Sequence, residues 1–264
     1  MKKRVLFYFI VISLLITAGI IIYNDKEKKV PKLITVEQVY SYIYHPSQTM
    51  IIPVYLNIDN HYLANEKSYL SVYLSSDNNS KRIEMFELKI AYSHSETYLH
   101  ETYYKYHFQL NLPNLKSDFY IKDCYLEISL VNQKTYRFYL GEFHLFTPTD
   151  KTEESLFLTS LYGNKKENEV YPRINNIALE FEDTDAIFTG AKINFDSEVL
   201  FEQKNNTLLL LIEAENKLLY QTPIRLFYEL NQVEYEYDIL CFEFFYDFEM
   251  LKKSGRQIYV YAID

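Results

Sequence analysis

Apolar and polar side chains alternate along most of the chain from residue 49 onward. Because successive side chains of a β-strand point to opposite faces, each alternating set predicts a strand with one buried face. The clearest sets in the first half are Ile52, Val54, Leu56 and Ile58; Leu70, Val72 and Leu74; Phe86, Leu88 and Ile90; and Phe108, Leu110 and Leu112. Polar loops separate these short runs, a pattern that favours antiparallel β-sandwiches over βαβ units. Residues 35–44 fit a strand and a helix equally well.

The alternation is interrupted between residues 148 and 172. Asp150 and Glu153 have the spacing of a helix capping box, and apolar residues follow at helical intervals until Gly163. These signals predict a short helix over residues 151–162, followed by a charged loop. We therefore interpret residues 148–172 as a linker between two folded units.

The strand pattern resumes at residue 173, and its order repeats that of the first half. An Asn-apolar-Asp triplet at 57–59 and another at 194–196 each precede a series of alternating runs. The chain is thus predicted to be mainly β, with two tandem immunoglobulin-like antiparallel β-sandwich domains at residues 31–147 and 173–264. One continuous β-rich domain is the alternative.

The N-terminal segment, residues 1–30, differs from the rest of the chain. Basic residues at 2–4 precede an uncharged apolar run of 19 residues from Val5 to Tyr23. At about 1.5 Å per residue this run covers about 28 Å, close to the hydrocarbon thickness of a bilayer. A cleaved signal peptide usually has a shorter apolar stretch and a small-residue cleavage site, which Thr17 and Gly19 match poorly. We predict an uncleaved signal anchor that spans the membrane through residues 5–23, with a cleaved signal peptide as the alternative.

The flanking charges predict the orientation of this anchor. The basic residues before it favour a cytoplasmic N-terminus and place the chain after Asn24 outside the cell, although Lys26, Lys28 and Lys29 weaken the preference. The abundance of Lys, Asn, Ile and Tyr, without Trp, is typical of an AT-rich bacterial genome. We therefore expect a single-pass protein of the plasma membrane whose bulk is extracytoplasmic.

Charge is distributed unevenly along the chain. Residues 1–30 have six basic and two acidic side chains, residues 31–150 ten and thirteen, and residues 151–264 eleven and twenty-one. The acidic second half would repel a phosphate backbone, which argues against nucleic-acid binding. Acidity serves solubility in most proteins, and a basic partner or a bound cation is the alternative.

The sequence lacks the motifs of common catalytic chemistry. Its five glycines form neither a phosphate-binding loop nor a nucleophile elbow. Cys124 and Cys241, one in each half, do not make a disulfide framework, and the alternation places Cys124 on a buried strand face. We therefore expect no enzymatic activity and no bound cofactor.

The histidines and one acidic turn are the candidate metal ligands of the chain. All six histidines lie in the first half: His45, His61, His94, His100, His107 and His144. His94 and His100 would share a strand face but stand about 20 Å apart in an extended strand, so only a fold-back could unite them. We predict no metal site there. Asp183 and Asp185 could supply alternate oxygen ligands to calcium, a question that the sequence leaves open.

Tyrosine is unusually frequent, with 27 among 264 residues. Tyrosine rings suit protein interfaces because they bury a large area at a low cost in rotamer entropy. Tyr55, Tyr69 and Tyr73 are the candidate protein-binding residues, because their apolar neighbours are predicted to face the core and leave them on the outward side. The alternative is that tyrosines merely replace other aromatic residues in a chain without Trp.

Together these features predict a membrane-anchored extracytoplasmic protein that binds another membrane or cell-surface protein, as an accessory of a membrane or secretion complex. The alternative is an extracytoplasmic enzyme, or a protein that binds a small ligand or metal through its histidine-containing first domain. A broad tyrosine-rich sheet face would favour the first function, and a pocket with converging polar groups would favour the second.

Overall fold

The computed structural model describes residues 29–149, 156–165, 174–182, 184–194, 197–212, 221–243, 249–253 and 255–264. The predicted anchor at residues 5–23 and the first part of the predicted linker helix lie outside these ranges. Across the described ranges, none of the helices has the length and apolar character needed to cross a membrane. The described chain is mainly β and forms several sheets, which confirms the predicted β-sandwich character.

The strands of the first half are β1 (Lys32–Val36), β2 (Gln38–Ile43), β3 (Thr49–Leu56), β4 (Tyr69–Ser76), β5 (Arg82–Tyr98), β6 (Glu101–Asn111), β7 (Phe119–Leu130) and β8 (Thr135–Phe146). Those of the second half are β9 (Leu158–Lys165), β10 (Ile174–Phe181), β11 (Ile187–Ile193), β12 (Ser197–Glu198), β13 (Leu200–Lys204), β14 (Thr207–Leu211), β15 (Gln221–Leu230) and β16 (Val233–Glu243). The chain continues with a short helix, α1 (Met250–Lys253), and a last strand, β17 (Ile258–Ala262).

The first sandwich is held together by the long strand β5, which belongs to two sheets. Its first residues pair with β4 in the order β5-β4-β7-β8-β2, and its remainder pairs with β6 in the order β17-β1-β3-β6-β5. A register shift between Phe86 and Lys89, with Glu87 at a φ of 50°, marks the bend between the two parts. Inward side chains of both sheets, such as Leu74, Phe108 and Leu126, form one core.

The second sandwich has two four-stranded sheets, in the orders β13-β14-β10-β9 and β12-β11-β15-β16. Alternate apolar residues of each sheet form a separate core that includes Leu179, Leu208 and Leu226. This second core also contains Val39 of β2, a strand whose residues are all buried. Strand β2 therefore lies between the two sandwiches, where β15 and β16 contact it.

Two features differ from the sequence-based predictions. The helix predicted over 151–162 is wrong for its last residues, because Leu158 to Tyr162 belong to β9 and pair with β10. Pairing with a neighbouring strand outweighs the local helical spacing. The chain end, which the sequence assigned to the second domain, returns to the first sandwich, where β17 pairs antiparallel with β1.

Candidate protein-binding face

The outward side of β4, β7 and β8, together with the first residue of β5 and with β17, carries an ordered group of tyrosines and arginines. Val72 and Leu74 of β4 face the core, so Tyr73 between them points outward. The strand register places Glu127 of β7 beside Tyr73, and Arg137 of β8 beside Glu127. We call this surface the tyrosine–arginine face; its members are Tyr73, Arg82, Tyr125, Glu127, Arg137, Tyr139 and Tyr259.

Both arginines of this face stack on tyrosine rings. The guanidinium carbon of Arg82 lies 3.6 Å from the ring centroid of Tyr73, and that of Arg137 lies 3.9 Å from the ring centroid of Tyr125. Glu127 stands between them, with its Oε2 atom 3.1 Å from Arg82 Nε and its Oε1 atom 3.4 Å from Arg137 Nε. These contacts fix long side chains that would otherwise lose entropy on binding.

The aromatic layer continues toward the edge of the sandwich. Tyr125 packs edge-to-face on Tyr139 with ring centroids 5.2 Å apart, and Tyr139 packs on Tyr259 of β17 at 4.8 Å. Burial, followed by the charge of Glu37, raises the pKa of Tyr139 and of Tyr259 above the usual tyrosine range. Both hydroxyls therefore stay protonated at neutral pH and can donate hydrogen bonds.

Of the three tyrosines predicted as binding residues, Tyr73 lies on this face and is half-buried. Tyr55 is wrongly predicted as a protein-binding residue, since its side chain is fully buried within the chain. It does point away from Val54 and Leu56, as the alternation predicts, but α1 covers that side of the sheet with Met250.

Tyr69 is also wrongly predicted to point outward, because its side chain packs toward the core. Its hydroxyl donates to the Leu63 carbonyl over 2.5 Å, and its ring meets Phe108 edge-on at 6.0 Å. A register shift between Tyr69 and Ser71 explains the inversion, because an extra residue in a strand moves its neighbours to the other face. Leu70, predicted to face the core, is accordingly 74% exposed.

Sequence reasoning missed the other tyrosines and both arginines of the face. The alternation did contain a signal for Tyr125 and Tyr139, because Leu126 and Phe138 beside them are buried and thus face the opposite way. For Tyr259 the sequence held no signal, because its position depends on the pairing of β17 with a strand at the other end of the chain.

Two of the six histidines, His94 and His144, lie beside carboxylates. His94 Nε2 lies 3.2 Å from Glu96 Oε1, and His144 Nε2 lies 3.2 Å from Glu142 Oε2. Within the parts of the chain that the structure describes, no group of three His, Cys, Asp or Glu residues could hold a metal ion. Asp185 of the proposed calcium turn is exposed, and Asp183 lies outside the described residues.

Comparison with known proteins adds little. Neither a protein-family model nor a curated protein matches the chain. The solved structures with some similarity include "Anomalous substructure of Titin-A168169", at 8% identity and a TM-score of 0.20, and "Endo-fucoidan hydrolase MfFcnA9 from glycoside hydrolase family 107", at 10% identity and a TM-score of 0.19. The matches cover 80% of this chain and 97% of the first protein, and 81% of this chain and 35% of the second. At such TM-scores neither similarity carries an argument.

Proposed function

We propose that this protein binds another membrane or cell-surface protein through the tyrosine–arginine face. The supporting observation is the stacking of Arg82 on Tyr73 and of Arg137 on Tyr125 across one sheet surface. Tyrosine and arginine are the residues enriched at the energetic centres of protein interfaces. A pre-ordered layer of this kind gives a large amphipathic contact area with little further loss of side-chain entropy.

The charges around the face define the chemistry of its partner. Arg82 and Arg137 are already engaged by Glu127, while Asp77 at the rim has a side chain that is 71% exposed. The charges of Glu37 and Asp123 also act on Tyr139 and raise its pKa. The rim is therefore acidic, and we propose a partner whose contact surface is basic at its edge.

The strand arrangement supports the proposal of an immunoglobulin-like first domain. In that fold one sheet contains strands A, B, E and D, and the other contains C, F and G. Strands β1, β3, β6 and the second part of β5 correspond to the first group, and β4, β7 and β8 to the second. We retain residues 31–147 and 173–264 as the proposed domains, with the last strand returned to the first of them.

The membrane anchor at residues 5–23 is part of the same proposal and rests on sequence alone. Protease added to intact cells should remove the chain after Asn24, because the positive-inside rule places it outside. Immunoblotting against an epitope in β16 measures the loss. A cytoplasmic protein in the same cells is the control, and complete protection of the epitope in intact cells would contradict the proposed location.

The binding face is tested by photocrosslinking of the full-length protein in its native membrane. A photoreactive phenylalanine analogue at Tyr73 or Tyr125 should give the same defined protein adduct. The same analogue at Tyr162, an exposed tyrosine of the second sandwich, should not give it. Adducts that are equal at all three positions, or missing from both positions of the face, would contradict the proposal.

Affinity of the purified partner provides the quantitative test. Tyr125→Ala should weaken binding about 30-fold, because a central interface tyrosine contributes about 2 kcal/mol. Tyr162→Ala should leave the affinity unchanged. The melting temperature of each variant, measured by calorimetry, checks that the sandwich remains folded, since Tyr125 packs on Tyr139.

A further inference from the structure

A second surface feature, a cleft of about 720 Å³, lies at one end of the first sandwich. It opens where β5 and β6 run out beyond the core. Along the inward side of β6, Phe108 is 1% exposed and Tyr106 is 9% exposed, while Tyr104 is only partly buried. On β5, Tyr92 stands directly opposite Tyr106 and is 57% exposed. The inward-facing aromatic residues of β6 thus continue beyond the core, where they form the floor of the cleft together with Tyr92 of β5.

The loop opposite this floor, residues 57–68, is held in place by specific hydrogen bonds. The Ile90 amide donates to Glu66 Oε1 over 2.6 Å and ties the loop to β5. The Leu63 amide donates to His61 Nδ1 over 3.3 Å, and the Lys67 amide donates to Asn65 Oδ1 over 3.1 Å. Both walls of the cleft are therefore built before any ligand arrives, which lowers the entropy cost of binding.

An adjoining cleft of about 710 Å³ extends the first one. The two share Asp59 and Tyr104 in their linings. Asn57 fixes this part of the loop, since its side chain accepts from the Lys32 amide over 2.7 Å and donates to the Val30 carbonyl over 2.9 Å. We call the two adjoining clefts together the groove; their volumes leave room for more than one ring-sized unit.

The charges of the groove balance. Asp59 and Glu66 line it together with Lys67 and Lys29. Burial, followed by the charge of Lys134, lowers the pKa of His61, and this ring is therefore neutral at neutral pH. A groove with equal numbers of opposite charges offers no net attraction to a cation or an anion, and it favours a neutral ligand.

The remaining chemistry points to a ligand with both apolar faces and hydroxyl groups. Tyr92 and Tyr104 provide aromatic rings beside carboxylate, amide and imidazole groups that accept or donate hydrogen bonds. Sugar rings have this combination, because their C–H faces pack on aromatic rings and their hydroxyls bond to carboxylates and amides. We infer that the groove binds a neutral oligosaccharide, with Tyr92 and Tyr104 beneath sugar rings and Asp59 and Glu66 accepting hydroxyl hydrogens.

This site goes beyond the proposed function, since it uses other residues than the tyrosine–arginine face and shares only strand β5 with it. The two are separable by experiment. Tyr92→Ala should leave crosslinking from Tyr73 unchanged, and Tyr125→Ala should leave oligosaccharide binding unchanged. A negative result for one site therefore leaves the proposal for the other site unaffected.

The test is a binding measurement on the full-length protein in a detergent that contains no sugar, such as lauryldimethylamine oxide. Hexasaccharides of β-1,4-glucose, β-1,3-glucose and N-acetylglucosamine are titrated by isothermal calorimetry, with saturation-transfer NMR to identify the contacting sugar protons. At least one hexasaccharide should bind. Tyr92→Ala should weaken that binding about tenfold through the loss of ring stacking, and Tyr92→Phe should retain most of it.

Tyr120→Ala is the matched control, because Tyr120 is an exposed tyrosine on another strand of the same sandwich. This variant should bind the hexasaccharide like the unaltered protein. The inference is overturned if none of the three hexasaccharides binds, or if Tyr92→Ala binds as tightly as the unaltered chain. It is also overturned if choline or inorganic phosphate displaces the sugar, because the groove would then select a charged ligand.

Discussion

Replacing Glu96 by alanine is expected to lower the free energy of unfolding by about 3–5 kcal/mol. Glu96 is 4% exposed, and its Oε2 atom accepts a hydrogen bond of 2.9 Å from the Leu251 amide at the start of α1. Its charge also acts on Lys105, which is 3% exposed beneath the same helix. The substitution removes a buried carboxylate that holds the Leu251 amide, lies 3.2 Å from His94 Nε2 and acts on the charge of Lys105. Urea unfolding of the full-length protein measures the loss.

Glu101→Ala is the matched control for this prediction. Glu101 pairs with Lys32 on the neighbouring part of the sheet, but both side chains are about a third exposed, at 31% and 37%. Such a pair contributes less than about 1 kcal/mol, and the hydrogen bond that Tyr103 donates to Glu101 Oε2 adds about 1 kcal/mol. Combining Glu96→Ala with Lys105→Met should restore part of the lost stability, since an apolar side chain at this buried site avoids the cost of desolvating a cation. Equal losses in the free energy of unfolding for Glu96→Ala and Glu101→Ala would contradict the stabilising role of Glu96 beneath α1.

The stability lost in Glu96→Ala should depend on pH, because Lys105 titrates at a different pH in the folded and unfolded states. Burial lowers the pKa of Lys105 in the folded protein below the usual lysine value of 10.5, and the charge of Glu96 partly opposes this shift. The folded state then releases this proton at a lower pH than the unfolded state does. Between the two pKa values, stability therefore rises with pH as Lys105 becomes neutral. The cost of Glu96→Ala should accordingly shrink as the pH approaches 10.5, and urea titrations at several pH values test this.

The sequence contained enough information to predict which way most side chains face. Tyr73 points outward and Tyr55 points away from Val54 because alternation is a local property of a strand. Which element covers a strand face depends on the tertiary fold and not on the sequence of that strand. The helix that buries Tyr55 returns from the other end of the chain, so the alternation of β3 carried no sign of it.

Local patterns failed where tertiary pairing overruled them. A single register shift moved Leu70 to the surface and Tyr69 to the core, and a bulge of one residue leaves no mark in an apolar pattern. Residues 158–162 have apolar spacing that suits a helix, yet β10 provides the hydrogen-bonding partner that makes them a strand. The cleft has the same origin, because it depends on how far β5 and β6 extend past the loop at 57–68.

Gly141→Ala is expected to destabilise the protein by about 2–6 kcal/mol, from backbone strain and overpacking together. Gly141 has a φ of 111°, a conformation that residues with a Cβ rarely adopt. A Cβ atom there would lie 2.1 Å from the Gln38 carbonyl oxygen and 2.8 Å from the Gln38 amide nitrogen. Both are backbone atoms of β2, which pairs parallel with β8 at this position, so the clash separates the two strands.

The consequence should reach both sandwiches, because Val39 of β2 packs into the second core. Gly190→Ala is the control: its Cβ would meet a side-chain atom of Phe227 at 3.3 Å, and that ring can move. Chemical denaturation followed by intrinsic tyrosine fluorescence should show a loss below about 1 kcal/mol for Gly190→Ala. Equal stability of Gly141→Ala and Gly190→Ala would contradict the close approach of β2 to β8. It would also contradict the position of β2 between the two cores.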